Sequence, residues 1–412
     1  MWHRCRTGNR TPSDVSDTST QTLRRDWALF GTLTFLFGFG FAVYNGVFQN
    51  FLRDVIRADA LQLGGLESLR EVPGFLTAIT AGGLVAFAEA RVAGLGLAIS
   101  GIGIGLTGVL HSYTALVLTS VFWSAGFHLY ATVSPAITLA LAKGKEGGRH
   151  LGRISAIGSA ATLAALLFSW IAARMHRHPR YPGFFFLAGG LILVAALLSF
   201  RLSPHAQGAP RSRFVIRKEY GLYYLLIFLE GCRRQIFSIF ASYTLILVYG
   251  VPLRTMLALQ LVNAGLIWIT APAIGRLVDR RGERGPLTFY AMALIAIFAG
   301  YASVRHVGVL YALFLMDNIL FTFSIGFTTY LHRIARPGDL TPCLAMGTTM
   351  NHMAAVIVPI SGAWMWQHWH NYTLPFWLGA AIAIAALAVT RLLPSGPPAL
   401  REPSVLQEAA GT

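Results

Sequence analysis

The sequence predicts an all-α polytopic membrane protein with twelve transmembrane helices in two pseudo-symmetric six-helix bundles. Three observations support this fold class. First, the 412 residues are 55% hydrophobic and only 12% charged, with a mean hydropathy of +0.57, a composition unlike that of soluble domains. Second, about twelve hydrophobic runs reach the roughly 20 residues that a bilayer span requires, and short polar turns separate them. Third, a polar linker separates two halves that share a sequence pattern.

The hydrophobic runs follow one another without room for a soluble domain between them. Residues 27–200 form the first predicted six-helix bundle, and residues 220–393 form the second. The centres of the twelve runs lie near Leu36, Phe75, Ser100, Val121, Ala161, Leu191, Ser238, Trp268, Ile295, Phe321, Val356 and Ala383.

Polar segments flank the two predicted bundles. Residues 1–26 form an N-terminal tail rich in Ser, Thr and Arg, residues 201–219 form the linker, and residues 394–412 form a C-terminal tail. The hydrophobic run after the first tail is too long for the core of a signal peptide, so we predict that it is retained as the first helix.

The two halves echo each other in sequence. When residues 66–91 are laid over residues 259–284, Gly82 meets Gly275 and Arg91 meets Arg284. Two parallel six-helix repeats are the build of one large class of secondary transporters, which hold their substrate near the midplane where the repeats meet.

The basic residues are distributed as in a membrane protein and not as in a nucleic-acid-binding protein. The net charge is +16 and the pI is near 10.3. Of the 33 Lys and Arg residues, 23 lie in predicted cytoplasmic segments, 7 in outer loops and 3 within spans. This bias predicts that both termini are cytoplasmic. The expected partner is therefore the lipid bilayer of the plasma membrane, and no nucleic acid is expected.

Two predicted spans carry charged side chains at membrane depth, where an ionised group costs at least about 2.5–3.5 kcal/mol. These spans are the second helix, predicted as Leu61–Glu89, and the seventh, predicted as Tyr220–Tyr249. Positions i, i+3 and i+4 share one face of a helix, so each cluster forms a single patch near the midplane. We predict that both patches face a central cavity and bind substrate. Their members are Glu67, Arg70, Glu71, Glu230, Arg233 and Arg234.

Each cluster also has a simpler interpretation, in which its charges neutralise one another within the helix to permit insertion. Glu67 would then pair with Arg70, and Glu230 with Arg234. Leucines would insert at lower cost, so even such internal pairs would indicate a function.

Asp317 in the predicted tenth helix has no basic residue in its own span. If every charged group at membrane depth were ionised, one net negative charge would remain, and a bound proton would cancel it. We therefore predict that Asp317, or failing that Glu230, carries a coupling proton. The alternative is that Asp317 has a permanent partner such as Arg233.

Three uncharged polar residues lie at comparable depth. Asn263 is in the predicted eighth helix, and Asn351 and His352 are in the eleventh. We predict that they contact substrate. The alternative is that they bridge neighbouring helices, which is the commoner use of such residues in membranes.

The loop after the predicted eighth helix places glycine, aspartate and arginine residues at a characteristic spacing. It reads Gly-Arg-Leu-Val-Asp-Arg-Arg-Gly-Glu-Arg from Gly275 to Arg284. This segment resembles the loop motif Gly-x-Leu-x-Asp-Arg-x-Gly-x-Lys/Arg of the major facilitator superfamily, at the place of its second copy. The resemblance implies alternating access, with this loop as a latch between inward-open and outward-open states. The latch residues would be Gly275, Asp279, Arg280, Gly282 and Arg284.

The first-half copy of the motif, Gly82 to Arg91, departs from the family pattern. Ala86 stands where the motif has aspartate, and Glu89 stands where it has the second glycine. The first latch is therefore predicted to be weak or absent. The fourth and fifth predicted helices also lack the intramembrane arginine and the Gly-Pro pair typical of drug–proton antiporters, which disfavours polyspecific drug efflux.

These observations together predict a secondary transporter of a small polar or ionised solute, coupled to protons through its midplane carboxylates. An anion or a zwitterion is favoured because three arginines reach the midplane, and guanidinium pairs well with carboxylate or phosphate. The alternative is a membrane-embedded enzyme or sensor with a charged midplane site. The sequence has no Gly-x-Ser-x-Gly, His-Glu-x-x-His or glycine-rich nucleotide loop, so we expect no enzyme activity. The scattered Cys5, Cys232 and Cys343 predict no metal site or disulfide, and no cofactor is expected.

Overall fold

The computed structural model describes residues 12–80, 89–142, 147–175, 179–203, 217–336 and 339–395, and within these ranges it is almost entirely helical. Most of the predicted linker, most of the C-terminal tail and residues 1–11 of the N-terminal tail lie outside the described residues. The same is true of the first-half motif copy up to residue 88.

The first half of the chain forms six described helices. The π-helical turn Leu52–Ile56 extends the first of them. They are α1 (Pro12–Phe51), α2 (Ala60–Thr80), α3 (Glu89–Thr107), α4 (Tyr113–Leu141), α5 (Gly147–Met175) and α6 (Tyr181–Ser199).

The second half also forms six described helices, two of which are interrupted. We count α7 as Gly221–Gln235 with its π-helical continuation Ile236–Ala241 and last turns Ser242–Leu247. We count α10 as Val307–Leu320 with the 3₁₀ turn Phe321–Ser324 and Ile325–Ile334. The others are α8 (Leu253–Arg281), α9 (Arg284–Ser303), α11 (Leu340–His368) and α12 (Leu374–Thr390).

The twelve described helices coincide with the twelve predicted spans, which confirms the predicted fold class. Within the described ranges, nine helices are long and apolar enough to cross a membrane by length and composition alone. Of the remaining three, α12 is shorter, while α2 and α7 are the two that carry the charged clusters. A count based on hydropathy therefore omits α2 and α7 because of their charged residues, and these are the two helices that the charge pattern selected.

The predicted second helix, Leu61–Glu89, extends past the described helix α2, and residues 81–88 lie outside the described residues. The helix α2 ends at Thr80, and Glu89 is the first residue of α3. A carboxylate is favourable in the first turn of a helix because it faces the positive end of the helix dipole.

The contacts group the chain into two compact units. Unit 1 contains Met1–Phe51 and Ile79–Arg211. Its helices pack closely through glycines: a Cβ atom added to Gly96 on α3 would lie 2.6 Å from the carbonyl oxygen of Gly126 on α4. Small residues of this kind let helices in membranes approach one another to backbone contact.

Unit 2 contains Leu52–Ala78 and Ser212–Thr412. It therefore includes α2, which the prediction assigned to the first bundle. The helix α2 packs along α11, where Gly64 lies against the Pro359 carbonyl and the Oγ of Ser68 accepts a hydrogen bond from the Ile360 N–H over 3.0 Å. Gly64 and Ser68 are four residues apart, so one face of α2 makes both contacts.

The segment before α2 is anchored within unit 2 as well. Arg53 donates to the Ile246 carbonyl over 2.8 Å, and the Tyr243 hydroxyl donates to the Ala58 carbonyl over 2.5 Å. Asp59 and Gln62 form a reciprocal cap, since each side-chain oxygen accepts from the backbone N–H of the other over 2.8 and 3.1 Å. This capping box explains why α2 begins at Ala60.

Candidate functional site

A buried arginine holds two carboxylates together in unit 2. Arg233 on α7 is 2% exposed. Its Nη2 donates to Glu230 Oε1 over 2.6 Å, and its Nη1 donates to the two oxygens of Asp317 over 3.0 and 3.2 Å. Glu230 lies one turn earlier on α7, whereas Asp317 comes from α10. The structure thus gives Asp317 the partner that the sequence left as an alternative.

An aromatic residue completes this buried triad of Glu230, Arg233 and Asp317. The hydroxyl of Tyr290 on α9 donates to Glu230 Oε1 over 2.9 Å. The Arg233 guanidinium carbon also lies 5.4 Å from the ring centroids of Tyr290 and Phe321. Three helices of unit 2 therefore converge on one guanidinium, which fixes its position.

The triad contains one positive and two negative groups when all three are ionised. A buried charge without compensation is strongly destabilising. Arg234, the next residue on α7, interacts electrostatically with Glu230 and with Glu71. It therefore places a second positive charge near the triad.

Arg234 differs from Arg233 in its accessibility. Its side chain is exposed, and its guanidinium carbon lies 4.5 Å from the ring centroid of Phe321. Among the residues that the structure describes, no carboxylate pairs with it within 4.0 Å. We expect an exposed arginine within a predicted span to face water and not lipid, because insertion into hydrocarbon is costly.

The charged cluster of α2 divides into two pairs. Glu67 is buried and accepts a hydrogen bond from Arg70, one turn later on the same helix. Glu71 instead reaches α11, where its Oε2 lies 3.0 Å from His352 Nδ1. The predicted internal pair of Glu67 and Arg70 is therefore present.

The other predicted internal pair, Glu230 with Arg234, is not the one that the structure shows. Glu230 pairs with Arg233 instead. Glu230 and Arg233 are three residues apart and both lie on the side of α7 that faces α9 and α10. Helical spacing alone could not choose between the two arginines, because positions i+3 and i+4 both lie near i.

The two asparagines lie in different surroundings within unit 2. The Oδ1 atom of Asn263 on α8 is buried and has no hydrogen-bond partner among the described residues. Asn351 on α11 packs against α7, where a Cβ atom added to Gly231 would lie 2.7 Å from Asn351 Oδ1. An accepting oxygen without a donor suits a ligand that carries N–H or O–H groups.

The motif residues lie at the junction of α8 and α9. Gly275, Asp279 and Arg280 are in the last turns of α8, Gly282 ends it, and Arg284 begins α9. Asp279 is exposed and forms no ion pair with a described residue. The ion pair at this junction is instead formed by the buried Glu283, whose Oε2 lies 2.8 Å from Arg333 Nη2 on α10.

The sequence pattern gave no signal for Tyr290 or for the pair of Glu283 with Arg333. Tyr290 looks like an ordinary aromatic residue of an apolar span, and no periodic signal marks its hydroxyl. Glu283 occupies a variable position of the motif, so the motif itself gave no reason to select it.

Gly282 should be the least replaceable residue of the motif. Its φ of 72° and ψ of 177° lie in a region that only glycine adopts readily. We expect Gly282→Ala to lower stability by about 1–3 kcal/mol. Gly275→Ala is the matched control, because Gly275 is helical with nothing within 4 Å of an added Cβ atom. Apparent melting temperatures of both purified variants would test this, and equal values would contradict it.

Comparison with known families agrees with this geometry. The sequence matches the family model of the Major Facilitator Superfamily over residues 30–341, which is more than half of the chain. The fold and the matched family together define an integral membrane transporter of the secondary class. The chain belongs to the Major Facilitator Superfamily. No curated protein sequence matches it at a significant level.

Solved transporter structures share its fold. The nucleoside transporter NupG aligns with a TM-score of 0.72 at 12% identity, covering 88% of this chain and 98% of that one. A D-xylose-proton symporter aligns with a TM-score of 0.69 at 14% identity, covering 90% and 98%. A bacterial homologue of the iron transporter ferroportin, in an inward-facing state, aligns with a TM-score of 0.71 at 18% identity, covering 90% and 98%. At these identities the similarity shows the fold and does not identify a substrate.

Proposed function

We propose that this transporter carries a small anionic or zwitterionic solute by alternating access and couples its movement to protons. The observation that supports the proposal is the exposed guanidinium of Arg234, beside a buried triad with one excess negative charge. Two other arginines of the charged helices are engaged, Arg70 by Glu67 and Arg233 by the triad.

Guanidinium groups suit carboxylate or phosphate ligands. The planar group presents several N–H donors that match the two oxygens of such an anion. Phe321 lies beneath Arg234 and holds its guanidinium from one side while leaving N–H edges available. The remaining predicted contacts, Glu67, Arg70, Glu71, Asn263, Asn351 and His352, are proposed as walls of the same site.

Charge balance links the anion to the proton. In the empty site, Arg234 compensates the excess negative charge of the triad. When Arg234 pairs with an anionic group of the substrate, that compensation is divided between two negative partners. Binding of a proton to Asp317 or Glu230 then restores neutrality, so substrate and proton favour each other. This reciprocity gives symport.

The orientation and the latch remain part of the proposal. The bias of basic residues supports cytoplasmic termini and insertion in the plasma membrane. Asp279 lies in the last turn of α8, where the helix dipole disfavours an acidic side chain. We infer that Asp279 is held there for a partner that it meets in another conformational state.

Arg234→Ala should weaken binding of the substrate by about 10–100-fold, because a hydrogen bond to a charged group contributes about 1.5–3 kcal/mol. Arg234→Lys should also weaken binding, since a point charge replaces a planar fork. A thermal-shift screen of the purified protein against carboxylates, phosphates and amino acids would supply the ligand.

Arg174→Ala is the matched control for Arg234. Arg174 is also exposed and also lies over an aromatic ring, that of Trp170 at 4.6 Å, but it belongs to the end of α5 in unit 1. The Arg174→Ala variant should bind ligand as tightly as the parent protein does. If Arg234→Ala also binds like the parent, Arg234 is not the anion site.

A further inference from the structure

Most charges of α2, α7 and α10 are already matched inside the protein. Glu67 is paired with Arg70, and Arg233 joins Glu230 to Asp317. Two groups of opposite sign on these helices are accessible. They are the carboxylate of Glu71 and the guanidinium of Arg234.

The partner of Glu71 is of a different kind from that of Glu67. Glu67 has a permanent cation in Arg70, and its side chain is 7% exposed. Glu71 is 23% exposed and faces His352, which is positive only when protonated. A cationic group from solution can therefore share this carboxylate with the imidazole, since an ammonium forms short, strong hydrogen bonds to carboxylate.

The helix α11 places Glu71 and Arg234 at similar heights. Adjacent residues of α11 contact the two charged helices: His352 contacts Glu71 on α2, and Asn351 contacts Gly231 on α7. Arg234 follows Gly231 by three residues, a rise of about 4.5 Å along α7. The electrostatic interaction of Arg234 with Glu71 agrees with this proximity.

We propose that the substrate is a zwitterion of the amino-acid type, with its carboxylate on Arg234 and its ammonium group on Glu71. The inference rests on the proposed function and narrows its substrate class from anions in general. A zwitterion brings no net charge, so it satisfies both accessible groups without adding charge to a partly desolvated site. A simple carboxylic acid has no ammonium group, so its carboxylate would lie near the carboxylate of Glu71 without a compensating charge.

Matched probes separate the two substrate classes. Purified full-length protein would be tested by thermal shift against the standard amino acids, each beside its deaminated carboxylic acid and its decarboxylated amine. At least one amino acid should bind at least about tenfold more tightly than both of its analogues. If the carboxylic acids bind as tightly as the amino acids, the substrate is not recognised as a zwitterion, but the proposal of an anion transporter is retained. If the amino acids, the carboxylic acids and the phosphates of the earlier screen all fail to bind, the proposed function is overturned as well.

Two substitutions test the roles of the two charges. Glu71→Gln keeps the shape of the side chain and should weaken binding of the amino acid at least about tenfold, while the deaminated acid binds as before or better. Arg234→Gln should weaken binding of both the amino acid and its deaminated acid. Equal losses for the amino acid and its deaminated acid in Glu71→Gln would contradict an ammonium contact at Glu71.

The melting temperature of each variant without ligand shows whether it remains folded. A Glu71→Gln variant that melts like the parent and binds the amino acid equally well removes Glu71 from the site.

Discussion

Arg233→Met should destabilise the protein by about 3–5 kcal/mol, which is the largest stability effect that we expect from a single change in this chain. Arg233 is the cation that both Glu230 and Asp317 contact, and all three side chains are buried. Methionine fills similar space but leaves two carboxylates without their counter-charge. The melting temperature in detergent and the yield of monodisperse protein would measure the effect.

Two further variants make this prediction specific. Arg234→Met is the matched control on the adjacent residue and should lower stability much less than Arg233→Met does, because the Arg234 side chain is exposed and forms no ion pair with a described residue. The triple change Arg233→Met, Glu230→Gln and Asp317→Asn removes all three charges and should recover most of the lost stability. An Arg233→Met protein as stable as the parent would show that the triad is not the electrostatic core of unit 2.

The comparison of Arg233 with Arg234 shows how far the sequence could predict this site. Hydropathy and helical spacing predicted that both arginines lie at the midplane of one helix, and the structure has both on α7. Which arginine is buried depends on Asp317, 84 residues later, and on Tyr290 from a third helix. Such contacts depend on the packing of helices that are distant in sequence, and local periodicity carries no information about them.

The helix α2 gives a second example. Its polar and small residues Gly64, Ser68 and Glu71 repeat at the spacing of one helical face, which a sequence can show. The surface that they contact is α11, far along the chain. Chain order placed α2 in the first bundle, whereas its packing groups it with unit 2. The π-helical stretch of α7 and the 3₁₀ turn of α10 were also beyond prediction, because their residues are as apolar as those of regular helix.

Asp317→Asn should abolish uptake driven by a proton gradient and should leave exchange of substrate for substrate intact. In the proposed mechanism, the proton binds the triad when the substrate occupies Arg234, and both are released together on the other side. Asparagine is nearly isosteric with a protonated aspartic acid and carries no charge. The triad of the variant is then neutral in every state, so binding of the substrate no longer recruits a proton. The sites can still alternate with substrate bound, which is all that exchange requires.

Reconstituted vesicles would separate these two activities. With an imposed pH gradient, uptake of the ligand from the screen into Asp317→Asn vesicles should fall to the level of protein-free vesicles, while exchange with internal unlabelled ligand should continue. Glu219→Gln is the matched control, because it neutralises an exposed carboxylate that pairs with Arg336 outside the triad, and such surface pairs contribute little. Glu230→Gln tests the second carboxylate of the triad in the same way. Gradient-driven uptake that survives in both Asp317→Asn and Glu230→Gln would show that the triad carries no coupling proton, and the excess negative charge beside Arg234 would then require another cation to balance it.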